Sequence, residues 1–229
     1  MIKVAAAIPQ VRVADVAFNT NEIENIMARA EGMGVAVLCF PELSLPAYSC
    51  QDLFAQPLLL DEAEQAMLKL IEFSRNLNLT VIVGVPFRYE QVLLNCAAVI
   101  QGGKVHGIVP KTYLPNYGEF YEKRQFSSGG DYRGPEEIPL LGQSVPFGRE
   151  LLFCCEEMED FVLGVEVCED LWAPVTPSTG LCLAGATVMA NLSASNELIG
   201  KVDYRKLLIS STSARLLCGY VYANAGRDE

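Results

Sequence analysis

Three side chains whose types support nucleophilic acyl transfer each follow an apolar run that predicts a buried strand. Glu42, Lys111 and Cys168 lie just beyond the ends of these runs. In such a set the thiol attacks a carbonyl carbon, the carboxylate accepts the thiol proton, and the ammonium stabilises the charge that develops on oxygen. An ammonium beside the thiol is also expected to lower the pKa of Cys168. The sequence therefore predicts an acyl-transfer site, provided that the three side chains meet in space.

Each of these residues, taken alone, also has an ordinary structural explanation. A glutamate after a strand is usually a turn residue, a lysine after a proline usually lies at the surface, and a cysteine in an apolar run usually packs in the core. His106 could form a dyad with a cysteine, but it lies within a predicted hairpin arm and is interpreted as a strand residue. Residues 128–131 could bind phosphate, but without a preceding strand, a following helix or a lysine they predict a turn.

The elements that must position these residues alternate between strands and helices, which indicates an α/β protein. A glycine pair at 102–103 predicts a hairpin, so the sheets are expected to be mixed. Asn19 or Asn21 is expected to cap the first helix, and residues 112–150 are expected to form a long functional loop. Predicted strands cover residues 2–8, 35–40, 80–85, 95–100, 104–110, 150–154, 161–167, 187–191 and 220–224, and predicted helices cover 19–34, 60–77, 181–184 and 204–217.

The composition restricts the classes of function that fit. The chain has 229 residues, of which 51% are hydrophobic and 20% charged, so it is long and apolar enough to form a large core. Its net charge of −11 argues against binding to nucleic acid or to an anionic membrane. Eight cysteines without a Cys-x-x-Cys pair, and one histidine, argue against a zinc site. With no signal peptide and no apolar run of membrane-spanning length, we expect a reduced, cytoplasmic protein.

Three motifs, at residues 40–43, 110–115 and 164–172, resemble those of the nitrilase (carbon–nitrogen hydrolase) superfamily in order and in their strand-end context. Residues 120–126 resemble the segment of that superfamily that carries a second glutamate. The resemblance extends from Val4 to Gly226. It implies a four-layer α-β-β-α sandwich with mixed sheets.

Further segments resemble one subfamily, the glutaminase domains of glutamine-dependent NAD synthetases. They are the acidic residues after the cysteine and residues 191–196, 200–201 and 224–226. This resemblance implies hydrolysis of L-glutamine to glutamate and ammonia. The ammonia would pass to a synthetase domain that amidates nicotinic acid adenine dinucleotide to NAD.

The resemblance also implies a role for each matched residue. Cys168 would form a γ-glutamyl thioester, with Glu42 as general base and then as acid for the leaving ammonia. Lys111, with the backbone N–H after the nucleophile, would bind the oxyanion. Glu122 would support Lys111 and Glu42 through hydrogen bonds.

The substrate-binding residues follow from the same resemblance. Glu169 and Ser195 would bind the amino-acid head of the substrate, and Tyr117 and Tyr48 would shape the pocket. Lys201 lies where a basic residue would bind the α-carboxylate. Loop tyrosines such as those at 113, 121 and 132 could stack on a ligand, but such residues more often pack over a core.

The expected organisation is one amidohydrolase domain over residues 1–229, incomplete at its C-terminus and without the synthetase domain. No cofactor is expected for glutamine hydrolysis, and ATP and Mg²⁺ are expected only in the absent synthetase domain. The resemblance also implies a homo-oligomer.

Three alternatives remain at this stage. One is an ω-amidase or another nitrilase-type hydrolase of a small amide or nitrile, against which the acidic residues after Cys168 argue. Another is a catalytically silent module that retained the fold, against which the intact Glu42, Lys111 and Cys168 argue. The last is a globular domain with a chance match, which would require three ordered motifs to coincide.

Overall fold

The computed structural model describes residues 2–140, 142–226 and 228–229, which form two large mixed β-sheets and a small hairpin. The first sheet has the order β1-β2-β3-β4-β5, and the second has the order β11-β10-β9-β8. The strands are β1 (Val4–Ala6), β2 (Val37–Cys39), β3 (Thr80–Tyr89), β4 (Val92–Gln101), β5 (Lys104–Pro110), β6 (Glu137–Leu140), β7 (Gln143–Pro146), β8 (Leu152–Cys155), β9 (Met158–Val167), β10 (Val188–Ser193) and β11 (Gly219–Asn224).

Strand direction brings several strand ends to one edge of each sheet. In the first sheet β1, β2 and β3 are parallel, while β4 is antiparallel to both β3 and β5. In the second sheet β9, β10 and β11 are parallel, and β8 is antiparallel to β9. The carboxyl ends of β2 and β5 therefore point the same way, as do those of β9 and β10. Loops that leave such ends are where α/β proteins place their ligand sites.

Three buried apolar clusters separate four layers. The first cluster joins two helices to the outer face of the first sheet, the second lies between the two sheets, and the third lies between the second sheet and its helices. Neighbouring residues of one strand enter different clusters because their side chains alternate between the faces of the sheet. These layers confirm the predicted four-layer α-β-β-α sandwich with mixed sheets. Representative members are Leu70 and Val83 in the first cluster, Ile82 and Val165 in the second, and Leu181 and Met189 in the third.

The helices begin and end differently from the prediction at several points. The prediction that Asn19 or Asn21 caps the first helix is wrong: Asp15 is the N-cap, and its side chain accepts a hydrogen bond from Phe18 N. Asn19 is instead buried inside the helix, where its amide binds the backbone of Arg12 and Leu45. The helices are α1 (Val16–Gly32), α2 (Pro57–Ser74), α3 (Pro177–Leu183) and α4 (Lys201–Leu216).

The segment predicted as one long loop contains regular structure. It includes the β6–β7 hairpin and a 3₁₀ turn over Glu122–Arg124. Two other 3₁₀ segments, Tyr48–Ala55 and Cys168–Leu171, were also not predicted from the sequence. All three short helical segments border the site described next.

Candidate active site

Glu42 is fully buried in the turn that follows β2. Its carboxylate accepts hydrogen bonds from Asn95 Nδ2 at 2.7 Å and from the backbone N–H of Ala194 at 3.1 Å. The turn packs directly on β3 at Gly84, where an added Cβ would lie 2.2 Å from Leu43 N. A side chain at position 84 would therefore displace the turn that carries Glu42.

Lys111 directly follows β5, and only 1% of its surface is exposed. Its Nζ lies 2.6 Å from Glu42 Oε1 and 2.6 Å from Glu122 Oε1. Burial alone would lower the pKa of Lys111, but the two carboxylates raise it well above its usual range. The ammonium is therefore held charged in the interior by two carboxylates.

Glu122 begins the 3₁₀ turn in the loop after β5 and is buried. Besides the ammonium, its Oε1 accepts a hydrogen bond of 2.7 Å from Tyr48 Oη. Burial raises the pKa of Glu122 to about 7, Lys111 opposes the rise, and Glu42 adds to it. Its Oε2 is buried and has no hydrogen-bond partner among the residues described.

Cys168 directly follows β9 and has a φ of +46°, which is uncommon for a residue with a side chain. Only 7% of the residue is exposed. The expectation of a lowered pKa is wrong in its net direction: burial raises the pKa of Cys168 and Glu42 adds to the rise, while Lys111 lowers it by less. The backbone of Ala194 contacts both this thiol and Glu42. The raised pKa therefore favours the neutral thiol over the thiolate at Cys168.

A cavity of about 710 Å³ lies beside this network. Tyr48, Glu122 and Ser195, all predicted site residues, form part of its wall. Four acidic side chains line it, so it favours a ligand with a positive group. These are Glu119, Glu122, Glu197 and Glu229.

Ser195 is fixed in this wall from two sides. The side-chain amide of Asn224 accepts from Ser195 N at 2.9 Å and donates to Ser195 O at 3.2 Å. Arg205, on α4, donates to Asn196 O at 2.9 Å and lies 3.4 Å from Ser195 Oγ. Its guanidinium also pairs with Glu197 at 2.6 Å. The segment after β10 is thus tied to β11 and α4.

The remaining predicted substrate residues lie outside the 710 Å³ cavity wall. Glu169 lines a neighbouring cavity of about 340 Å³ and accepts a hydrogen bond of 2.8 Å from Tyr117 Oη. Lys201 lines neither cavity. Its Nζ binds Asn196 Oδ1 and lies 5.1 Å from the ring centre of Trp172.

His106 and residues 128–131, which the sequence argued against as site residues, form part of a strand and a turn in the structure. His106 is an exposed residue of β5 whose ring contacts Gln101 O. Residues 128–131 form a turn, as predicted, and this turn packs against Lys111. Gly129 N donates to Lys111 O at 2.8 Å, and a Cβ at Gly129 would lie 2.8 Å from the same oxygen.

Three polar residues of the site were not predicted. Asn95 binds Glu42, Arg205 holds the cavity wall, and Asp170 joins two loops. Asn95 is a polar residue within an apolar strand run, which is a signal that the sequence does offer. Asp170 lies in the motif at 164–172, but the sequence does not show which groups it binds. For Arg205 the sequence gives no comparable signal.

Within residues 2–140, 142–226 and 228–229, no three His, Cys, Asp or Glu side chains are grouped to hold a metal ion. No helix in that part of the chain is long and apolar enough to span a membrane.

A buried carboxylate, a buried ammonium and a cysteine therefore lie together at the edge of two stacked sheets in a four-layer sandwich. Residues 3–225 match the carbon–nitrogen hydrolase family, and the chain belongs to that family.

Curated relatives carry the description glutamine-dependent NAD(+) synthetase. The protein of Mycobacterium tuberculosis is 44% identical over 228 residues, which is 100% of this chain and 33% of that protein. The protein of Aquifex aeolicus is 35% identical over 84% of this chain and 30% of its own length. The chain therefore spans about a third of the length of these relatives.

Solved structures of other proteins share the fold of this chain. A glutamine-dependent NAD(+) synthetase from Cytophaga hutchinsonii superposes with a TM-score of 0.81 and 31% identity, over 96% of this chain and 35% of that chain. An amidase from Nesterenkonia sp. superposes with a TM-score of 0.78 and 18% identity, over 98% of this chain and 76% of that chain. At that identity the second likeness concerns the fold alone.

Proposed function

We propose that the chain hydrolyses L-glutamine to glutamate and ammonia through a cysteine thioester. The observation that carries the proposal is the buried Glu42–Lys111–Glu122 network beside the Cys168 turn. The 44% identity to a glutamine-dependent NAD(+) synthetase over the whole chain selects glutamine among the possible amides.

The proposed reaction starts with a neutral thiol. Cys168 Sγ attacks the side-chain amide carbon of glutamine while Glu42 accepts the thiol proton. Lys111 Nζ and the backbone N–H of Glu169 stabilise the negative charge that develops on oxygen. Glu42 then gives its proton to the amide nitrogen as the C–N bond breaks. Ammonia leaves, and a γ-glutamyl thioester remains.

Hydrolysis of the thioester uses the same groups in a second cycle. Glu42 accepts a proton from water as the water oxygen attacks the thioester carbon. The C–S bond breaks, glutamate leaves, and the proton returns to sulfur. Every group in this scheme is a side chain or backbone group of the chain, so it calls for no cofactor. Glu122 keeps Lys111 in place throughout.

Recognition of the amino-acid head is assigned to residues around the two cavities. Glu169 binds the α-ammonium, Ser195 contributes a hydroxyl, and Tyr48 and Tyr117 shape the pocket. Lys201 is the basic residue for the α-carboxylate in this proposal. Its contact with Asn196, which lines the 710 Å³ cavity, supports a place at the cavity edge.

The ammonia serves a second reaction in the longer relatives' architecture. We infer that it passes to a synthetase domain that converts nicotinic acid adenine dinucleotide to NAD with ATP and Mg²⁺. The proposal rests on relatives of which this chain spans about a third. In this proposal the chain is an amidohydrolase domain that acts in the cytoplasm and self-associates.

The first test is glutamine-dependent ammonia release by the purified chain beside Cys168→Ala. We expect release in the wild type and a loss of at least about 10³-fold in the variant, because the thioester cannot form. Cys154→Ala is the matched control, since Cys154 is exposed and has no part in the scheme. Equal release by wild type and Cys168→Ala would refute the proposal.

A substrate panel separates glutamine hydrolysis from the alternatives. Glutamine, asparagine, short aliphatic amides and nitriles are compared at equal concentration. Preference for a short amide or nitrile would favour another hydrolase of the family. Labelling with a glutamine-like electrophile reports on the thiol without turnover. A folded chain with neither turnover nor labelling at Cys168 would be a silent module.

A further inference from the structure

Asp170 is a buried carboxylate that the proposed reaction does not use. Only 1% of the residue is exposed. Its Oδ1 accepts backbone hydrogen bonds from Thr112 N at 3.0 Å and Tyr113 N at 2.8 Å, and its Oδ2 accepts from Val167 N at 3.0 Å. Burial raises the pKa of Asp170 to about 8, and the backbone N–H groups of Val167 and Tyr113 oppose the rise. Each of these bonds is costly to leave unmade in the interior.

The three donors flank two residues of the catalytic set. Thr112 and Tyr113 directly follow Lys111, and Val167 directly precedes Cys168. The two loops follow strands of different sheets. Thr112 and Tyr113 are 58 and 57 residues away from Asp170 in the sequence. Asp170 therefore joins the loop that carries the proposed oxyanion donor to the turn that carries the proposed nucleophile.

Other contacts show that the Lys111 loop is held at defined points. Lys111 N donates to Asn95 O at 2.8 Å, and Gly129 N donates to Lys111 O at 2.8 Å. These bonds fix the loop to the first sheet and to the turn behind it. Asp170 links the same loop to the second sheet, where Cys168 directly follows β9.

The Cys168 turn needs such support. A positive φ at a residue with a side chain is strained and persists only where surrounding contacts impose it. Cys168 has this conformation at +46°. The bond from Val167 N to Asp170 closes the turn around it.

We propose that Asp170 is a positioning residue that fixes Lys111 relative to Cys168, so that the oxyanion donor and the sulfur face the same substrate carbon. The inference rests on the proposed glutaminase function. Displacement of a catalytic group by about 1 Å can lower a rate by about 10²-fold. The binding of the amino-acid head should change little, because the hydrogen bonds of Asp170 go to backbone N–H groups of Thr112, Tyr113 and Val167.

The test is Asp170→Asn in the full chain, with Glu166→Gln as the matched control. An asparagine presents an NH₂ group in place of one of the two oxygens, so at least one of the three N–H contacts becomes repulsive. Glu166 is an equally buried acid two residues before Cys168, but it binds Ser178 N and Tyr220 Oη on the helix side of the sheet.

We expect kcat for glutamine to fall about 10²-fold in Asp170→Asn while KM changes less than about threefold. In Glu166→Gln both values should stay within about threefold of the wild type. An unchanged kcat in Asp170→Asn, a change confined to KM, or an equal loss in Glu166→Gln would overturn the proposal.

Amide hydrogen exchange on the wild-type chain gives a readout that requires no variant to fold. Thr112 and Tyr113 should exchange slowly, although Tyr113 is 38% exposed, because both N–H groups are bound to Asp170. Rapid exchange at both amides would overturn the proposal. If the wild type releases no ammonia from glutamine, the proposed function fails, and Asp170 is judged by this exchange and by the rate at which iodoacetamide alkylates Cys168 in Asp170→Asn.

Discussion

Two carboxylates share one ammonium at the centre of the site, so the network carries an excess of negative charge. Burial is the main reason why the pKa values of Glu122 and Cys168 are both raised, and the excess of negative charge adds to the rise. Because the raised pKa keeps Cys168 a thiol, the proposed reaction needs Glu42 to take the thiol proton as the sulfur attacks.

The raised pKa of Glu122 leads to a pH-dependence prediction. Below about pH 7 Glu122 takes up a proton and loses much of its attraction for Lys111. We expect kcat/KM of the wild type to fall as the pH drops through about 7. In Glu122→Gln, which cannot titrate, the whole profile should lie lower and lack this step. A step that persists near pH 7 in Glu122→Gln would assign it to another group.

The same shift has a consequence for stability with the opposite sign. A carboxyl group whose pKa is raised on folding contributes stability below its unfolded value and loses that contribution as the pH rises through the folded value. For Glu122 the window runs from 4.5 to about 7. Denaturant unfolding across this range should show the wild type losing free energy of unfolding relative to Glu122→Gln as the pH rises.

For single residues, the sequence predicted which side chains form the site better than it predicted the surroundings of each side chain. Glu42, Lys111 and Cys168 could be singled out because each follows a strand end. The direction of the pKa shift of Cys168 was predicted wrongly, because the sequence shows neither how deeply Cys168 is buried nor how close Glu42 lies to it. Asp170 was similarly hidden, since its partners at Thr112 and Tyr113 belong to a distant loop.

At the scale of elements, the position of Glu42 depends on a glycine in the neighbouring strand. Gly84 lies in β3, and a Cβ there would lie 2.2 Å from Leu43 N and 2.6 Å from Pro41 O. Both are backbone atoms, which cannot move aside as the end of a flexible side chain can. The turn that carries Glu42 can approach β3 only because position 84 lacks a side chain.

We therefore expect Gly84→Ala to displace the Glu42 turn. The variant should lose about 3 kcal/mol or more of unfolding free energy and most of its glutamine turnover. Urea unfolding and ammonia release measure the two effects. Gly180→Ala is the matched control, because Gly180 lies within α3, has open space where a Cβ would be, and should gain rather than lose stability. Normal stability and turnover in Gly84→Ala would contradict this account of the turn.

The elements that the sequence missed are those that local pattern does not determine. The hairpin arm at β5 was predicted with its observed bounds, because the glycine pair and the alternation mark it clearly. The 3₁₀ segments at Tyr48–Ala55 and Glu122–Arg124 have no such periodicity. They are held instead by contacts with each other, including the bond from Tyr48 Oη to Glu122 and the bidentate pair of Arg124 with Asp52.

At the scale of the whole molecule, the helices that cover the second sheet leave an apolar outer surface of their own exposed. Only Arg205 and Thr212 of the 16 residues of α4 are buried, whereas α1 and α2 bury six and seven residues. Large apolar side chains are exposed on and beside α3 and α4. Among them are Val175, Leu183, Leu198, Ile199, Leu207 and Leu217.

The proposed self-association would cover this face, and Leu207→Glu tests it. Leu207 is 64% exposed on α4, so a charge there should not harm the folded monomer but should weaken association by at least about tenfold. Leu58→Glu on α2, at 70% exposure, is the matched control and should leave association unchanged. Sedimentation velocity over a range of concentrations measures both.

Salt separates this apolar interface from an ionic one. Because the chain carries a net charge of −11, two copies repel each other at low ionic strength. Added salt screens that repulsion but leaves apolar contacts intact, so association should strengthen as salt rises. Association that weakens with salt, an equal loss in Leu58→Glu and Leu207→Glu, or a monomer at every concentration would contradict pairing through α3 and α4.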